Sequence, residues 1–587
     1  MKQDETNTIS AGKAKPSVER PWQRFYSDDL VAKPLPACTF YEYFVEVNRD
    51  FPDEIAFCYL GRTIRYGEVA RYIDHCARSL LALGVKRNDI VTVAMPSMPE
   101  AVYVVYAINR IGAIANMIHP LAGTEETLCY LEEVQSRVFI MYSGTYSFMR
   151  GHLDGTCVEK AVVVSPAQSL SPVKCWLYGV KNPKERIREG GVVLSWKSFI
   201  GMGKERELSE PQQADDDWAV ITHTGGTTGP PKGVITSNRN IIGQIFQVIQ
   251  GRGIKRQDCM LVQLPPFVNY SLVNIIKSLS CGYKIVLIPK YNPERLAELV
   301  YRYKVNYIYS IPAYWEALFR IPNIRKDAFA SLRAIASGGE SMDAATEKAV
   351  NDILHAGGGK LDLMKGYGMT ESTSGIVGTF PFCNVQGSVG IPLTQTNCRV
   401  VDVNTGEELS YGEEGELCFS GPTIMVGYYH QQEATDEIIK TDSDGVRWLH
   451  TGDIGYISEE GIVYISGRLK RLIMVKDDKG MVTKIFPERI EEVFSRCPQV
   501  GVCCVVGVPD EQYISKTKLF VELAAGYIPD DSTGMQILLY GHDELPSYMA
   551  PTEVEILGSL PRTNRGKIDY RELENRVRTP NKLPLNN

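Results

Sequence analysis

The sequence predicts an α/β protein. A large N-terminal domain is built of parallel-sheet subdomains, a small β-rich subdomain follows, and an α+β domain closes the chain. Three observations carry this. Short apolar, β-branched runs alternate with helix-length stretches through the first two-thirds of the chain, as in parallel sheets covered by helices. From about Ile391 the texture changes to short strands with Gly-rich turns, as in Gly412-Glu413-Glu414-Gly415-Glu416-Leu417. After the charged stretch Gly467-Arg468-Leu469-Lys470-Arg471, a last block mixes both kinds of element and is long enough for its own small core.

Taken in order, residues 1–20 lack aromatics and are rich in Ser, Thr and Lys, so disorder is expected there. Ile90 to Met95 reads as a strand, Pro99 to Ile111 as a helix, Ile114 to Ile118 as a strand. Glu125 to Val134 then reads as a helix and Val138 to Tyr142 as a strand. Lys284 to Ile288, Pro293 to Tyr303 and Tyr307 to Ser310 repeat the theme. In open sheets of this kind ligands sit at the carboxyl ends of the strands. Beyond the β-rich part, Glu488 to Ser495 reads as a helix, and Gly501 to Val508, Leu519 to Ala524 and Val554 to Leu557 as strands. The domains expected are therefore 21–469 and 470–587, with the boundary at Lys470.

At 587 residues, 44% apolar and 23% charged, the composition is that of an ordinary globular protein of several domains. A formal net charge of −7 argues against a nucleic-acid partner but leaves room for a nucleotide, which needs only a local cationic pocket. The 14 cysteines include no C-x-x-C pair, and with eight dispersed histidines they give no zinc-site spacing. Reduced thiols in a cytoplasmic protein are expected. The polar N-terminus has no apolar core of a signal peptide. The most apolar window, Ala101 to Ile118, is broken by Asn109 and Arg110, so no membrane span is expected, while peripheral membrane contact stays open.

The strongest local signal is Thr224-Gly225-Gly226-Thr227-Thr228-Gly229-Pro230-Pro231-Lys232-Gly233. Glycines let backbone N–H groups approach an anion, threonines add hydroxyl donors, and Lys232 adds a mobile positive charge. The two prolines forbid an immediate helix, which separates this loop from a Walker A motif. Gly366-Tyr367-Gly368-Met369-Thr370-Glu371-Ser372 places an aromatic, a hydroxyl and a carboxylate on one turn, able to stack on a base, touch a phosphate and hold Mg²⁺. Thr451-Gly452-Asp453 offers a carboxylate for ribose hydroxyls. Pro561-Arg562-Thr563-Asn564-Arg565-Gly566-Lys567 is a basic loop near the C-terminus.

In this order the motifs resemble the adenylate-forming (AMP-binding) superfamily of acyl-CoA synthetases, luciferases and peptide-synthetase adenylation domains. Ser337-Gly338-Gly339-Glu340, Gly387-Ser388-Val389-Gly390, Gly421-Pro422, Gly427-Tyr428-Tyr429 and Gly467-Arg468 add to the match, which runs from about Trp22 to Leu573. The resemblance implies that Thr224 through Lys232 close over the ATP phosphates and that Gly339, Glu340 and Tyr367 line the adenine. It implies that Thr370 touches the α-phosphate, Glu371 holds Mg²⁺, and Asp453 and Arg468 bind ribose. It implies further that Lys567 bridges the substrate carboxylate and ATP, and that Lys470 is the hinge of a mobile C-terminal domain. The resemblance implies a reaction in which acyl-AMP forms first and a thiol then expels AMP.

The acid-pocket stretch reads Pro265-Pro266-Phe267-Val268-Asn269-Tyr270, with Gly338 facing it. Val268 stands where amino-acid-activating relatives carry an aspartate, which disfavours an α-amino acid substrate. Trp22 and Tyr26 resemble the lead-in of medium- and long-chain fatty-acyl ligases. No carrier-protein segment follows Lys567, so free CoA is the simplest acceptor. A fatty acid is the first expectation. An aryl or bulky ring acid, or transfer to a carrier protein, is the alternative. One departure is the stretch Val475 to Lys484, longer than the family's compact turn, which bears on the CoA channel.

Overall fold

The computed structural model describes residues 14–185, 187–208, 214–224, 231–249, 255–476, 480–510, 512–524, 526–562 and 568–578. Among these, two large sheets organise the N-terminal part. In the nine-stranded sheet, six neighbouring strands run parallel: Met364–Met369, Ala334–Gly338, Tyr307–Ser310, Cys259–Val262, Lys284–Leu287 and Ile55–Tyr59. In the eight-stranded sheet the parallel run is Trp218–His223, Ile114–Met117, Ile90–Ala94, Val138–Tyr142, Lys160–Val164 and Val193–Ser195. Antiparallel strands finish the edges, among them Gly233–Ser237 and Gly427–Tyr428.

Helices Pro99–Arg110 and Asn269–Ser280 are buried almost throughout, and their apolar residues share one core with strands of both sheets. Such helices need apolar residues on every face, which is why neither shows a clean polar stripe. Four of the segments with site chemistry leave the carboxyl ends of parallel strands. Thr224 follows Trp218–His223, Pro265 to Tyr270 follow Cys259–Val262, Gly339 follows Ala334–Gly338, and Thr370 follows Met364–Met369.

The β-rich part is an antiparallel sheet of Asn397–Val401, Gly415–Ser420, Arg447–Ile457 and Ile439–Thr441, with Val463–Arg468 also pairing Arg447–Ile457. The C-terminal part pairs Val500–Asp510 with Ile514–Leu523, which runs parallel to Glu553–Ile556. Helices Pro487–Phe494 and Thr533–Glu544 close over an apolar core of its own, built on Ile490, Phe494, Leu519, Val521 and Ile537.

Three expectations change. Order reaches back before residue 20: Pro16–Glu19 is a helix, and the Ser17 hydroxyl donates to Glu408 at 2.7 Å while Asn397 Nδ2 donates to the Ser17 carbonyl at 3.1 Å. These partners lie almost 400 positions away, so composition could not signal them; residues 1–13 lie outside the described residues. Trp22 is 1% exposed in the apolar core of the β-rich part, and the Tyr26 hydroxyl donates to the Pro392 carbonyl at 2.9 Å. In the fold both side chains serve the packing of the β-rich part. The stretch after Lys470 is a β-hairpin, Ile473–Lys476 paired with Val482–Ile485, so its extra length is taken up largely in paired strands; residues 477–479 lie outside the described residues. No helix among the described residues is long and apolar enough to cross a membrane. The 14 cysteines are all free thiols.

Glu100, in the buried Pro99–Arg110 helix, accepts from the Ser169 hydroxyl at 2.5 Å, while its other oxygen has no partner. Burial pushes this carboxyl up to about 7. The native state thus holds a proton that the unfolded chain releases near 4.5, and stability falls as pH rises from that value to about 7. Glu100→Gln should cancel the loss, up to about 3 kcal/mol at neutral pH. Thermal melts should show a gain in Tm at pH 8 and almost none at pH 5.

Candidate active site

The phosphate loop is closed at its base. Thr224 N donates to the Lys232 carbonyl at 2.9 Å, and Lys232 N donates to Thr224 Oγ1 at 3.1 Å. This fixes where the loop leaves and re-enters the sheet; Gly225, Gly226, Thr227, Thr228 and Gly229 themselves lie outside the described residues. The Lys232 ammonium stands 4.7 Å from the centre of the Tyr428 ring, and the Tyr428 hydroxyl donates to Glu371 Oε1 at 2.7 Å. A cation of the phosphate loop, an aromatic ring and the candidate metal carboxylate therefore form one line across the two sheets. Burial and then the Glu371 charge hold the Tyr428 phenol protonated. Glu371 is 7% exposed, and its backbone carbonyl accepts from Met425 N at 2.9 Å. A fixed carboxylate oxygen beside the phosphate loop suits Mg²⁺, a hard cation that takes one or two carboxylates and keeps several waters.

Thr370 and Glu371 sit in a single 3₁₀ turn, Thr370–Ser372, directly after the strand. Met369 N donates to the Ser372 hydroxyl at 3.0 Å, which fixes the turn. At Gly368 a Cβ would fall 1.9 Å from the Ser374 carbonyl oxygen, so only glycine lets the chain double back here. The Asn269 amide donates to the Thr370 carbonyl at 3.4 Å, tying the acid-pocket segment to the turn.

Asp453 is 3% exposed and lies between two cross-links. The Tyr367 hydroxyl donates to its Oδ2 at 2.6 Å, and Arg468 Nε lies 3.0 Å from its Oδ1. Burial, then the Asp453 charge, pushes the Tyr367 phenol well above its ordinary range. The turn carrying Asp453 is braced by residues that sequence reading gave no role. Glu416 Oε1 accepts from Gly452 N at 2.9 Å, and His450 Nδ1 is 2.8 Å from Glu416 Oε2. Cys418 Sγ lies 3.4 Å from the same nitrogen. Only the strand pairing of Cys418 with His450 reveals this cluster.

At Gly338 a Cβ would lie 3.0 Å from the Gly366 carbonyl and 3.8 Å from the Tyr270 hydroxyl, so the two strand ends and Tyr270 meet there. Phe267 is buried with its ring centre 4.4 Å from that of His119, and Val268 packs against the main core. Gly339, at φ 86°, and Glu340 are exposed at the rim. Below them Glu316 has its carboxyl raised by burial and by the Asp343 and Glu340 charges, and lowered by Arg320 and Arg562. Arg562 pairs with Ile568 as a β-bridge, so the loop bearing Lys567 departs from a base whose charge reaches this rim. Lys567 lies outside the described residues.

Lys470 is exposed in the 3₁₀ turn Leu469–Arg471. On its C-terminal side Arg471 is locked into the second domain: Nη2 lies 2.5 Å from Glu491 Oε1, and Nη1 lies 3.1 Å from Glu488 Oε1. A surface ion pair, Arg489 with Glu414, joins the two parts.

The sequence matches the model of the AMP-binding enzyme family over residues 44–429 and that of the AMP-binding enzyme C-terminal domain over residues 489–567. This chain belongs to the AMP-binding enzyme family. Over 570 residues it is 26% identical to the long-chain-fatty-acid–CoA ligase of Bacillus subtilis, covering 94% of this chain and 98% of that one. Over 523 residues it is 28% identical to probable 4-coumarate–CoA ligase 1 of Dictyostelium discoideum, covering 86% and 89%. Among solved structures, ATP-bound MatB from Rhodopseudomonas palustris shares the fold with a TM-score of 0.78 at 22% identity, covering 92% of this chain and 99% of that one. The anthranilate–CoA ligase AuaEII with anthranoyl-AMP does so with a TM-score of 0.76 at 22% identity, covering 93% and 98%. The expected family, α/β fold class and enzyme class, an acid–thiol ligase using ATP and CoA, are borne out.

The Lys232–Tyr428–Glu371 line makes a prediction. Tyr428→Phe keeps the ring under Lys232 but removes the hydroxyl donated to a buried carboxylate, a loss of roughly 1–3 kcal/mol. The Mg²⁺ concentration for half-maximal pyrophosphate release should rise by about tenfold, and Tm should fall with it, since the buried carboxylate loses its donor.

Proposed function

We propose that this enzyme activates a hydrophobic carboxylic acid, a medium- or long-chain fatty acid in the first place, and transfers it to CoA. The carrying observation is that Lys232 at the phosphate-loop base meets the Tyr428 ring whose hydroxyl holds Glu371, while Tyr367, on the strand leading to Glu371, holds Asp453 and so its partner Arg468. The pocket segment, with buried Phe267 and half-buried Val268 and Tyr270, offers apolar and aromatic contacts and no carboxylate for an amino group. The B. subtilis relative, matched over nearly its whole length, bears a fatty-acid–CoA ligase name. An aryl acid is the second reading, favoured by the Phe267–His119 ring contact and by the 4-coumarate ligase relatives.

In the first step a substrate carboxylate oxygen bonds to the α-phosphorus of ATP while the bond to pyrophosphate breaks. Two anions must meet, so donors and cations are needed where the charge gathers. Lys232 and the loop it closes serve the phosphates, Thr370 the α-phosphate, and Lys567 the carboxylate. Mg²⁺ held by Glu371 would withdraw charge from the phosphate oxygens. Gly339, Glu340 and Tyr367 line the adenine, and Asp453 with Arg468 orients the ribose. In the second step the CoA thiolate bonds to the carbonyl carbon and AMP leaves. Rotation about Lys470 would take Lys567 away between the steps. The free thiols among the described residues suit a reducing, cytoplasmic setting.

AMP release measured with MgATP over aliphatic and aryl acids, with and without CoA, tests this. Turnover should require both acid and CoA. For a lipid tunnel, kcat/KM should climb with chain length by up to ~0.8 kcal/mol per CH₂. A flat response with aryl acids preferred would select the second reading, and pyrophosphate release indifferent to CoA would move the acceptor to a protein. Lys567→Ala should cut acyl-AMP formation by at least about 100-fold while sparing thioester formation from supplied acyl-AMP.

A further inference from the structure

Helix Pro172–Lys181 is turned inside out. A surface helix of a globular protein normally buries its apolar stripe. Here Val173, Trp176, Leu177 and Val180, spaced i, i+3, i+4, i+7, are 67%, 67%, 44% and 59% exposed. The opposite side is the packed one: Cys175 and Tyr178 are half-buried, and the Tyr178 hydroxyl donates to Glu185 at 2.9 Å. Lys174 Nζ reaches the Leu60 carbonyl at 3.3 Å, which brings Leu60, itself 45% exposed at a turn, beside the stripe. Trp176 is the most exposed of the six tryptophans. The helix is therefore held in place by its inner face while its outer face keeps a continuous apolar band in water, which is costly unless something covers it.

Lys174 and Lys181, both exposed, flank the band, and the sequence around them is basic. Between residues 172 and 189 the chain carries five Lys or Arg against two Glu, in a protein of formal net charge −7. An apolar band with a tryptophan and a basic flank is the pattern of a helix lying in the plane of an anionic bilayer, apolar face at the acyl boundary and cations among the headgroups. A second copy of the chain would bring two basic segments together and gains nothing from the lysines. We propose that helix Pro172–Lys181, with Leu60, docks the enzyme reversibly on an anionic lipid surface. This requires nothing of the acid's identity, although acids with long apolar chains are found at such surfaces.

The test is flotation of the full-length protein with vesicles of phosphatidylcholine alone or mixed with phosphatidylglycerol. Binding is expected to the mixed vesicles, weakened by salt, with a blue shift of tryptophan fluorescence. The Trp176→Glu, Val180→Glu double variant should lower the bound fraction by at least about tenfold. Its melting temperature and its AMP release with a short, water-soluble acid should be unchanged. Trp176→Ala alone, a milder change, should lower binding severalfold, and Lys174→Glu with Lys181→Glu should erase the preference for anionic lipid. Absence of binding to either vesicle, or binding that survives the double variant, would overturn the proposal. So would a dimer by light scattering that the double variant dissociates, which would assign the band to a second copy.

Discussion

A buried carboxylate is tolerable only where donors meet it, and the arrangement of this enzyme depends on satisfying one. Asp453 lies inside the protein because Tyr367, at the end of the nine-stranded sheet, and Arg468, on the neighbouring strand of the β-rich sheet, both reach it. Arg468 pairs with Asp453 within the β-rich sheet, and Tyr367 reaches it from the large sheet, so this one bond ties the two sheets at a buried charge. Glu371 does the same work at the next seam, where Tyr428 of the eight-stranded sheet is its donor. The groups proposed to recognise the nucleotide are thus also groups that tie the sheets to one another, so a change to one task would disturb the other.

The same logic explains how an acidic protein handles a polyanion. Two of the candidate site cations among the described residues are restrained by a neighbour: Lys232 by the Tyr428 ring, Arg468 by Asp453. Restraint lowers the cost of ordering a long side chain when substrate arrives.

Much of the scaffold was legible in the sequence. The strands Val138–Tyr142 and Tyr307–Ser310 fall where the β-branched runs placed them, and the Ile90, Pro99, Ile114 and Glu125 elements agree within a residue or so. Parallel sheets buried on both faces give near-continuous apolar runs, which are hard to misread. The motif residues were legible because Gly, Thr, Lys and Asp at turns have few other uses. Their partners were not. Tyr428 lies 57 residues from Glu371, and Tyr367 lies 86 from Asp453, so only the fold brings them together. Glu416 sits in a turn already noted and His450 directly precedes Thr451-Gly452-Asp453, yet nothing local says that they brace a turn. The apolar spacing of Pro172–Lys181 is equally blind to direction, because periodicity tells that a helix has an apolar face and not whether that face is inside.

The seam between the two domains has a consequence for how such enzymes can vary. Arg468 is anchored to the first domain by Asp453, and Arg471 to the second by Glu488 and Glu491, which leaves only Leu469 and Lys470 unanchored between them. The hairpin Ile473–Ile485 begins after the second anchor. Residues added at its tip therefore lengthen an appendage without lengthening the two-residue span between the anchors, so the hairpin can vary in length while the seam stays the same.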